Sequence, residues 1–199
     1  MNNLELAHIF IDYQGLSESL TSLKLVGKKI VLTSGTFDLF HPGHARYFRM
    51  AKNQVSRGVL VVGVDSDEKV RKRKGPHRPI IPQEERLEIV SHTRYVDVVV
   101  LKNPNDEKWA LIKLVRPDVL VMSETTKDHP EEELVALREF CGKIVVLKPQ
   151  ATTSTSAKIR LLHVNFGLQV EQLIDNAKET VSTYLEELKR KVSELSEGK

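Results

Sequence analysis

The feature that most constrains the fold is a repeated alternation of apolar, β-branched runs with amphipathic stretches. Residues 59–64 (VLVVGV) are typical of a strand buried in a parallel sheet. Similar runs predict further strands at 29–33, 96–101, 119–122 and 144–147, and the stretches between predict helices at 44–55, 84–93, 109–115 and 131–140. Strand-then-helix repeats at this spacing predict an α/β fold: a Rossmann-like parallel sheet with helices on both faces.

Helical extensions are predicted at both ends of this alternation. Residues 1–27 have the apolar spacing of one or two short amphipathic helices, and Gly27 ends them. Residues 28–162 form the predicted α/β domain. In the third block, 163–199, apolar residues from Val170 to Leu195 step by three and four with Glu and Lys between them. That seam fits either a helix packed on its own domain or a coiled coil in a homodimer.

Composition narrows the class of protein. The chain has 199 residues and one cysteine, Cys141, so no intrachain disulfide can form and a reducing compartment is favoured. No apolar run approaches the roughly 18 residues of a membrane span, and residues 1–20 lack the basic start of a signal peptide. We therefore expect a cytoplasmic protein without a membrane partner.

Nucleic acid is also not an expected partner. The net charge at pH 7 is only +3. Residues 69–78 contain six Lys and Arg, but no aromatic residues are interleaved for stacking on bases. A solvated, mobile loop is the favoured interpretation of Arg71, Lys72 and Arg73.

The junction between the first strand of the alternation and its helix is the segment richest in chemistry. Residues 35–44 are GTFDLFHPGH. At positions i and i+3, His41 and His44 can face one side of a helix start. Free N–H groups and the helix dipole suit phosphate there, and ligands of open α/β sheets bind at such strand ends. On spacing alone, the pair also fits a surface pair or half of a metal site.

This segment resembles the G-x-F-D-x-x-H-x-G-H signature of the cytidylyltransferase-like nucleotidyltransferase superfamily. The residues that fit the signature, without a gap, are Gly35, Phe37, Asp38, His41, Gly43 and His44. The resemblance assigns the two histidines to the phosphates of a nucleotide, and it implies nucleotide binding by the rest of the loop, Thr36 included. For Asp38, orientation of the loop or of a histidine and a structural cap are both open.

Lys52 lies two turns beyond His44 and returns to a similar helix face. Family members bind phosphate with a lysine near this place, although a solvated lysine is an equally good interpretation of the position.

Two further segments resemble the family. Residues 74–86, KGPHRPIIPQEER, match a K-G-x-x-R-P…P-x-x-x-R pattern, which implies that Arg86 points a bidentate guanidinium at phosphate oxygens and that Arg78 serves the acceptor or the triphosphate. Residues 152–160, TTSTSAKIR, resemble the motif that grips the β- and γ-phosphates at a helix start. Thr155, Ser156, Ile159 and Arg160 fit it, whereas Ala157 replaces a common hydroxyl residue.

Other positions depart from the family or stay ambiguous. Residues 123–128, SETTKD, lack the glycine that relatives often carry near the base and acceptor pockets. Asp65 and Asp67 fit an acceptor contact, assistance to a metal, or a helix cap. Trp109 is expected in the core.

The resemblance implies an enzyme that transfers a nucleoside monophosphate from an NTP to a phosphorylated small molecule, such as a sugar or polyol phosphate, and releases pyrophosphate. The K-G-x-x-R-P loop favours ATP over CTP, and Mg²⁺ is expected with the NTP, with no residue assigned as a metal ligand. The expected catalytic residues are His41, His44, Lys52 and Arg86. The expected nucleotide-binding residues are Gly35, Thr36, Phe37, Asp38, Gly43, Thr155, Ser156 and Arg160.

The most similar groups are the bacterial heptose-phosphate adenylyltransferases, glycerol-3-phosphate cytidylyltransferase and archaeal FAD synthetase. Three alternatives remain: a CTP-dependent cytidylyltransferase of a polyol or alcohol phosphate, a regulatory module that binds nucleotide with weak turnover, and an assembly protein in which the terminal helices matter most.

Overall fold

The computed structural model describes residues 7–124, 131–150 and 155–197. These residues form six strands and seven helices. In chain order they are β1 His8–Phe10, α1 Tyr13–Leu25, β2 Ile30–Gly35, α2 Pro42–Lys52, β3 Val59–Asp65, α3 Asp67–Lys74, α4 Gln83–Ser91, β4 Val98–Lys102, α5 Ala110–Val115, β5 Val119–Ser123, α6 Glu131–Leu137, β6 Lys143–Leu147 and α7 Thr155–Glu197. Every strand and helix predicted for the alternation is present.

The six strands form one sheet in the order β1-β4-β3-β2-β5-β6, and every pairing is parallel. From β2 the chain moves outward through β3 and β4, then returns to place β5 on the other side of β2. The gap between the carboxyl ends of β2 and β5 is therefore a topological switch point, where open α/β sheets bind ligands. Helix α2 begins directly beyond it.

Apolar side chains cover both faces of the sheet. One buried cluster joins α2 and α4 to the strands, with Phe48 and Leu87 among its members. The other joins α1, α5 and α6 to the opposite face, with Leu16 and Leu111 among its members. The predicted α/β class, a Rossmann-like sheet with helices on both faces, is confirmed.

Two elements differ from the sequence expectation. His8–Phe10 pairs in parallel with β4 as an edge strand, where helices alone were expected. Three residues are too few to show a period of two. Residues 67–74 form a helix rather than a loop: Ser66 caps it by accepting a hydrogen bond from the backbone N–H of Lys69, and Asp67 and Glu68 lie in its first turn. Its many cations hid the helical pattern.

The chain divides into two compact units, residues 1–152 and 153–199. The second unit is essentially α7, one continuous helix of 43 residues. Large apolar side chains are exposed along it, among them Val170, Ile174, Val181 and Leu188. Within the described residues, no helix combines the length and apolar character needed to span a membrane.

Candidate active site

The carboxyl ends of the central strands bring polar groups to one edge of the sheet. β2 ends at Gly35, β3 at Asp65, β4 at Lys102 and β5 at Ser123. Because all pairings are parallel, these ends meet at the same edge. The loop from Gly35 to His41 rises from this edge and leads into α2.

His41 and His44 form a stacked pair at the start of α2. Their ring centroids lie 3.9 Å apart with 25° between the ring planes. His41 is the N-cap, and its Nδ1 accepts a hydrogen bond from the backbone N–H of Gly43 at 3.1 Å. Nδ1 of His44 accepts from the backbone N–H of His41 at 3.4 Å. A neutral ring with an accepting Nδ1 carries its proton on Nε2, so each ring is set to donate from that atom.

Aromatic residues fix the ring of His44. Phe37 meets it edge-on with centroids 5.5 Å apart, and Phe40 lies 5.3 Å away. Phe37 adopts a positive φ of 51°, and a Cβ on Gly35 would lie only 3.0 Å from the Phe37 ring. A larger residue at position 35 would therefore push the Phe37 ring away from its place over Gly35. The buried Phe37 contributes packing beneath the histidine pair.

Asp38 fastens the histidine loop to the segment before α4. Its buried carboxylate accepts hydrogen bonds from the backbone N–H groups of Ile80 and Ile81, and it pairs with Arg78 at 2.8 Å. Burial alone would raise the pKa of Asp38, but these backbone donors and the Arg78 charge outweigh it and hold the pKa below its usual value. Of the two roles open for Asp38, this geometry supports orientation of the loop.

Arg86 does not take the position expected from its motif. Its side chain is fully buried, and its guanidinium donates to protein groups: Nε to the Ile81 carbonyl at 2.9 Å, Nη1 to the Thr36 carbonyl at 2.6 Å, and Nη2 to Asp67 at 2.7 Å. The expectation that this guanidinium points at phosphate oxygens is not what the structure shows. Arg86 instead holds the Thr36 backbone from beneath.

Lys52 is also displaced from the expected site. It forms an ion pair with Asp97, whose carboxylate also accepts from the backbone N–H of Leu60. Asp97 immediately precedes β4 and so lies at the amino ends of the strands, whereas the histidines lie beyond the carboxyl ends. The physical reason is the direction of α2, which runs back along the sheet, so that eight residues carry Lys52 about 12 Å away from His44. Helical periodicity indicates the face of α2 on which Lys52 lies, but it does not indicate which side chain pairs with it.

Three side chains at the carboxyl ends of the strands were not predicted as part of the site from the sequence. Arg73, expected in a mobile loop, donates to Thr36 Oγ1 at 2.8 Å and to Asp65 Oδ2 at 2.9 Å. Lys102 lies 3.2 Å from Asp65 Oδ1. Tyr13 donates to Asp106 at 2.6 Å. The signal available was positional: Asp65 and Lys102 end neighbouring strands, so parallel pairing places them together.

The third motif lies in the second unit. Thr155 opens α7, as the motif predicts, and Arg160 lies exposed on that helix. The side chains of Thr155 and Ser156 lie outside the described residues, as do residues 125–128 of the departing segment. The gathering of all three motifs around one ligand therefore stays a prediction.

The carboxylates at the edge do not fit a magnesium site made by protein alone. Asp38, Asp65 and Asp67 are each paired with arginine. Among the residues that the structure describes, no group of three or more His, Cys, Asp or Glu is arranged to hold a metal ion. This arrangement suits a cation that comes with its own oxygen ligands.

Comparison with known proteins identifies the family of the chain. The cytidylyltransferase-like family model matches residues 32–186. Bifunctional protein HldE from Desulfatibacillum aliphaticivorans is 40% identical over 148 residues, which is 73% of this chain and 29% of that protein. HldE from Sulfurimonas denitrificans is 42% identical over 137 residues, 67% of this chain and 27% of that protein. The chain thus spans less than a third of the length of these curated relatives.

Two solved structures share the fold. A lipopolysaccharide core biosynthesis protein from Thermoplasma volcanium has a TM-score of 0.53 and 28% identity, over 62% of this chain and 98% of that one. Pantoate-beta-alanine ligase from Francisella tularensis also has a TM-score of 0.53, over 75% of this chain and 69% of that one, but 14% identity, so it supports the fold alone. The resemblance carried by residues 35–44 is confirmed: the chain belongs to the cytidylyltransferase-like family, which indicates a nucleotidyltransferase.

Proposed function

We propose that this protein transfers a nucleoside monophosphate from an NTP to a phosphorylated small molecule and releases pyrophosphate. The observation that carries the proposal is the stacked histidine pair, with both Nδ1 atoms engaged by backbone N–H groups at the start of α2. A helix N-terminus with two oriented imidazole donors suits a chain of phosphates. Family membership supports the same reaction class.

In the proposed reaction, an oxygen of the acceptor phosphate attacks the α-phosphorus of the NTP. The new P–O bond forms as the bond from the α-phosphorus to the bridging oxygen breaks, and pyrophosphate takes the electron pair. The acceptor oxygen is already anionic, so no general base is needed. The imidazole Nε2–H groups and α2 supply positive potential where charge accumulates on the phosphates.

A sugar phosphate is the favoured acceptor and ATP the favoured triphosphate. The similar Thermoplasma volcanium structure is described as a lipopolysaccharide core biosynthesis protein, and that description favours a saccharide as the acceptor. ATP is supported by the resemblance of residues 74–79 to the loop of sugar-phosphate adenylyltransferases. Mg²⁺ is proposed to enter bound to the triphosphate, where phosphate oxygens supply most of its ligands.

A homodimer through α7 belongs to the same proposal. Ile174, Val181, Leu188 and Leu195 recur every seven residues, and Val170, Ala177 and Tyr184 form a second series with the same spacing, four residues before the first three of them. Such a seam is self-complementary in a coiled coil. Sedimentation velocity should show a dimer for the full chain and a monomer after Val181→Glu and Leu188→Glu together; a wild-type monomer at micromolar concentration contradicts the pairing.

The test of function is pyrophosphate release. Each of the four triphosphates is combined with Mg²⁺ and a panel of phosphorylated sugars, polyols and flavin mononucleotide. Acceptor-dependent release with one triphosphate supports the proposal. Binding of nucleotide without release for any acceptor contradicts it and favours a regulatory nucleotide-binding module.

A further inference from the structure

A cluster of cations surrounds the buried carboxylate of Asp65 at the end of β3. Asp65 is 1% exposed. Arg73 Nη2 from α3 lies 2.9 Å from its Oδ2, and Lys102 Nζ from β4 lies 3.2 Å from its Oδ1. The Lys102 contact lacks hydrogen-bond alignment, so Oδ1 has no hydrogen bond within the described part of the chain. Burial by itself would raise the pKa of Asp65, but the charges of Lys102 and Arg73 outweigh it and lower that pKa, which keeps the carboxylate ionised.

Lys69 adds a third cation to this cluster. Its Nζ donates to the carbonyl of Asn103 at 3.3 Å, and it forms no ion pair with any carboxylate that the structure describes. Burial and the nearby charge of Lys102 lower the pKa of this half-buried lysine. Two lysines that repel each other at a strand edge are stabilised when an anion lies between them.

The structure makes room for this arrangement. Gly63 lies within β3, and a Cβ there would approach Lys102 Cδ to 2.9 Å and Leu111 Cδ2 to 2.5 Å. The stem of Lys102 therefore crosses β3 in the space that a side chain at 63 would occupy, and its Nζ reaches within 3.3 Å of Ser34 Oγ on β2. A residue larger than glycine would displace this lysine from the edge.

The cluster adjoins the histidine loop from the β3–β4 side. Arg73 Nη2 donates to both Asp65 and Thr36 Oγ1, so one guanidinium joins the cluster to the loop that carries the histidines. Helix α2 packs on β2 and β3. Its first turn follows the carboxyl end of β2, whereas the cluster lies at the carboxyl ends of β3 and β4. An anion held by the cluster is thus a neighbour of a triphosphate held at α2, but it occupies a different place.

We propose that Lys69, Arg73 and Lys102 form the subsite that binds the phosphate of the acceptor. This inference rests on the proposed function and deepens it. Attack on the α-phosphorus requires two anionic groups to approach each other, and cations on the acceptor side reduce that repulsion. Asp65 is a positioning residue: it pairs with Arg73 and Lys102, whereas Lys69 forms no ion pair within the described residues and interacts with Asp65 and Asp106 only at longer range.

The test separates the two phosphate sites. Calorimetric titration measures inorganic phosphate binding to the full chain saturated with Mg²⁺ and α,β-methylene-ATP, or its cytidine counterpart where CTP is the substrate. We expect one phosphate per chain for the wild type. Lys69→Met and Lys102→Met should each weaken phosphate binding about tenfold, the usual effect of losing one charged hydrogen bond, and leave analogue affinity within about twofold. Lys143→Met, an exposed lysine at the amino end of β6, is the matched control.

The outcomes distinguish this inference from the function on which it rests. Failure of both analogues to bind the wild type contradicts the proposed function and the subsite with it. Analogue binding without phosphate binding, or unchanged phosphate affinity in Lys69→Met, contradicts the subsite alone. Lysine variants that weaken the analogue instead assign the cluster to the triphosphate and overturn the inference. Because the Lys69 Nζ donates to a backbone carbonyl and forms no ion pair within the described residues, its variant is expected to fold.

Discussion

The histidine pair, His41 and His44, differs in environment from the two residues that support its loop, Asp38 and Arg86. All four belong to motifs of the same family. His41 and His44 are half-buried, and their Nδ1 atoms are held by backbone donors. Arg86 has a fully buried side chain. The carboxylate of Asp38 accepts hydrogen bonds from the backbone N–H groups of Ile80 and Ile81 and pairs with Arg78. In the first region, backbone N–H groups orient two imidazoles at a helix start. In the second, the charged side chains are paired within the protein.

The difference shows that a motif residue can act on a ligand or hold the groups that do. Charge type does not separate the two roles, because an arginine suits phosphate and a backbone carbonyl equally. Burial does separate them here: the Arg86 side chain is fully buried, whereas the two histidines are half-buried. The histidine loop contains two residues with positive φ, Phe37 and Leu39, and such a loop needs anchors to keep its shape. Asp38 and Arg86 supply them.

Replacement of Arg86 tests the supporting region and should have the largest effect. Arg86→Met leaves the Thr36 carbonyl and Asp67 without their buried donor, so the free energy of unfolding should fall by roughly 3–5 kcal/mol. Urea unfolding followed by circular dichroism measures the loss. Arg94→Met, at an exposed arginine just beyond α4, is the control and should change stability by less than about 0.5 kcal/mol. A loss below about 1 kcal/mol for Arg86→Met would show that the guanidinium is not a structural anchor.

Replacement of the histidines tests the other region. His44→Ala or His41→Ala should lower turnover by at least about 100-fold, the usual effect of removing one transition-state donor. His41→Ala also loses the N-cap of α2, at a cost of about 1 kcal/mol in stability. The readout is pyrophosphate release at saturating substrates. His92→Ala is the control, since His92 lies exposed at the end of α4. Near-full activity in either variant would refute the assigned site.

The sequence predicted most of the sheet because the apolar runs are long and β-branched. Five of the six strands, and four of the five helices that lie between them, follow from the sequence pattern alone. β1 was missed because three residues carry no period, and its place in the sheet comes from pairing with β4 rather than from its own composition. α3 was missed because Lys and Arg dominate it, although Ser66 and the two acidic residues after it were a visible helix start.

The site was predicted less completely, for a different reason. Periodicity locates a residue on a helix face, but it does not say what competes for its charge. Lys52 is taken by Asp97, and Arg86 by Thr36 and Asp67, through contacts more than 15 residues away in sequence. Conversely, Arg73 and Lys102 both pair with Asp65 at the carboxyl ends of the strands. That arrangement follows from the strand order β4-β3-β2, which the sequence pattern does not give.

The pH dependence of stability tests whether the ionised carboxylate of Asp38 anchors the histidine loop. The pKa of Asp38 is lowered in the folded state, so its stabilisation is present above the unfolded value near pH 4 and is lost as pH falls through the lower folded value. Asp38→Asn keeps the shape but removes the charge, and it should cost about 1–2 kcal/mol at pH 7. Urea unfolding from pH 7 to pH 3 should show the gap between variant and wild type narrowing below about pH 4. A gap that is constant with pH would mean that the ionised carboxylate is not what holds residues 80 and 81.

Replacement of Lys52 should have the smallest effect, and it tests how far the functional site extends along α2 from the histidines. Lys52→Met removes an ion pair at the far edge of the sheet, where Asp97 keeps its hydrogen bond from the backbone N–H of Leu60 at 2.6 Å. Partly exposed pairs contribute at most about 1 kcal/mol, so stability should change little. Turnover should stay within about twofold of wild type, because the Lys52–Asp97 pair lies at the amino end of β4 and not at the carboxyl ends of the strands. A tenfold or larger loss of turnover, with an unchanged urea midpoint, would mean that Lys52 reaches the phosphates during the reaction. The functional site would then extend to both ends of α2.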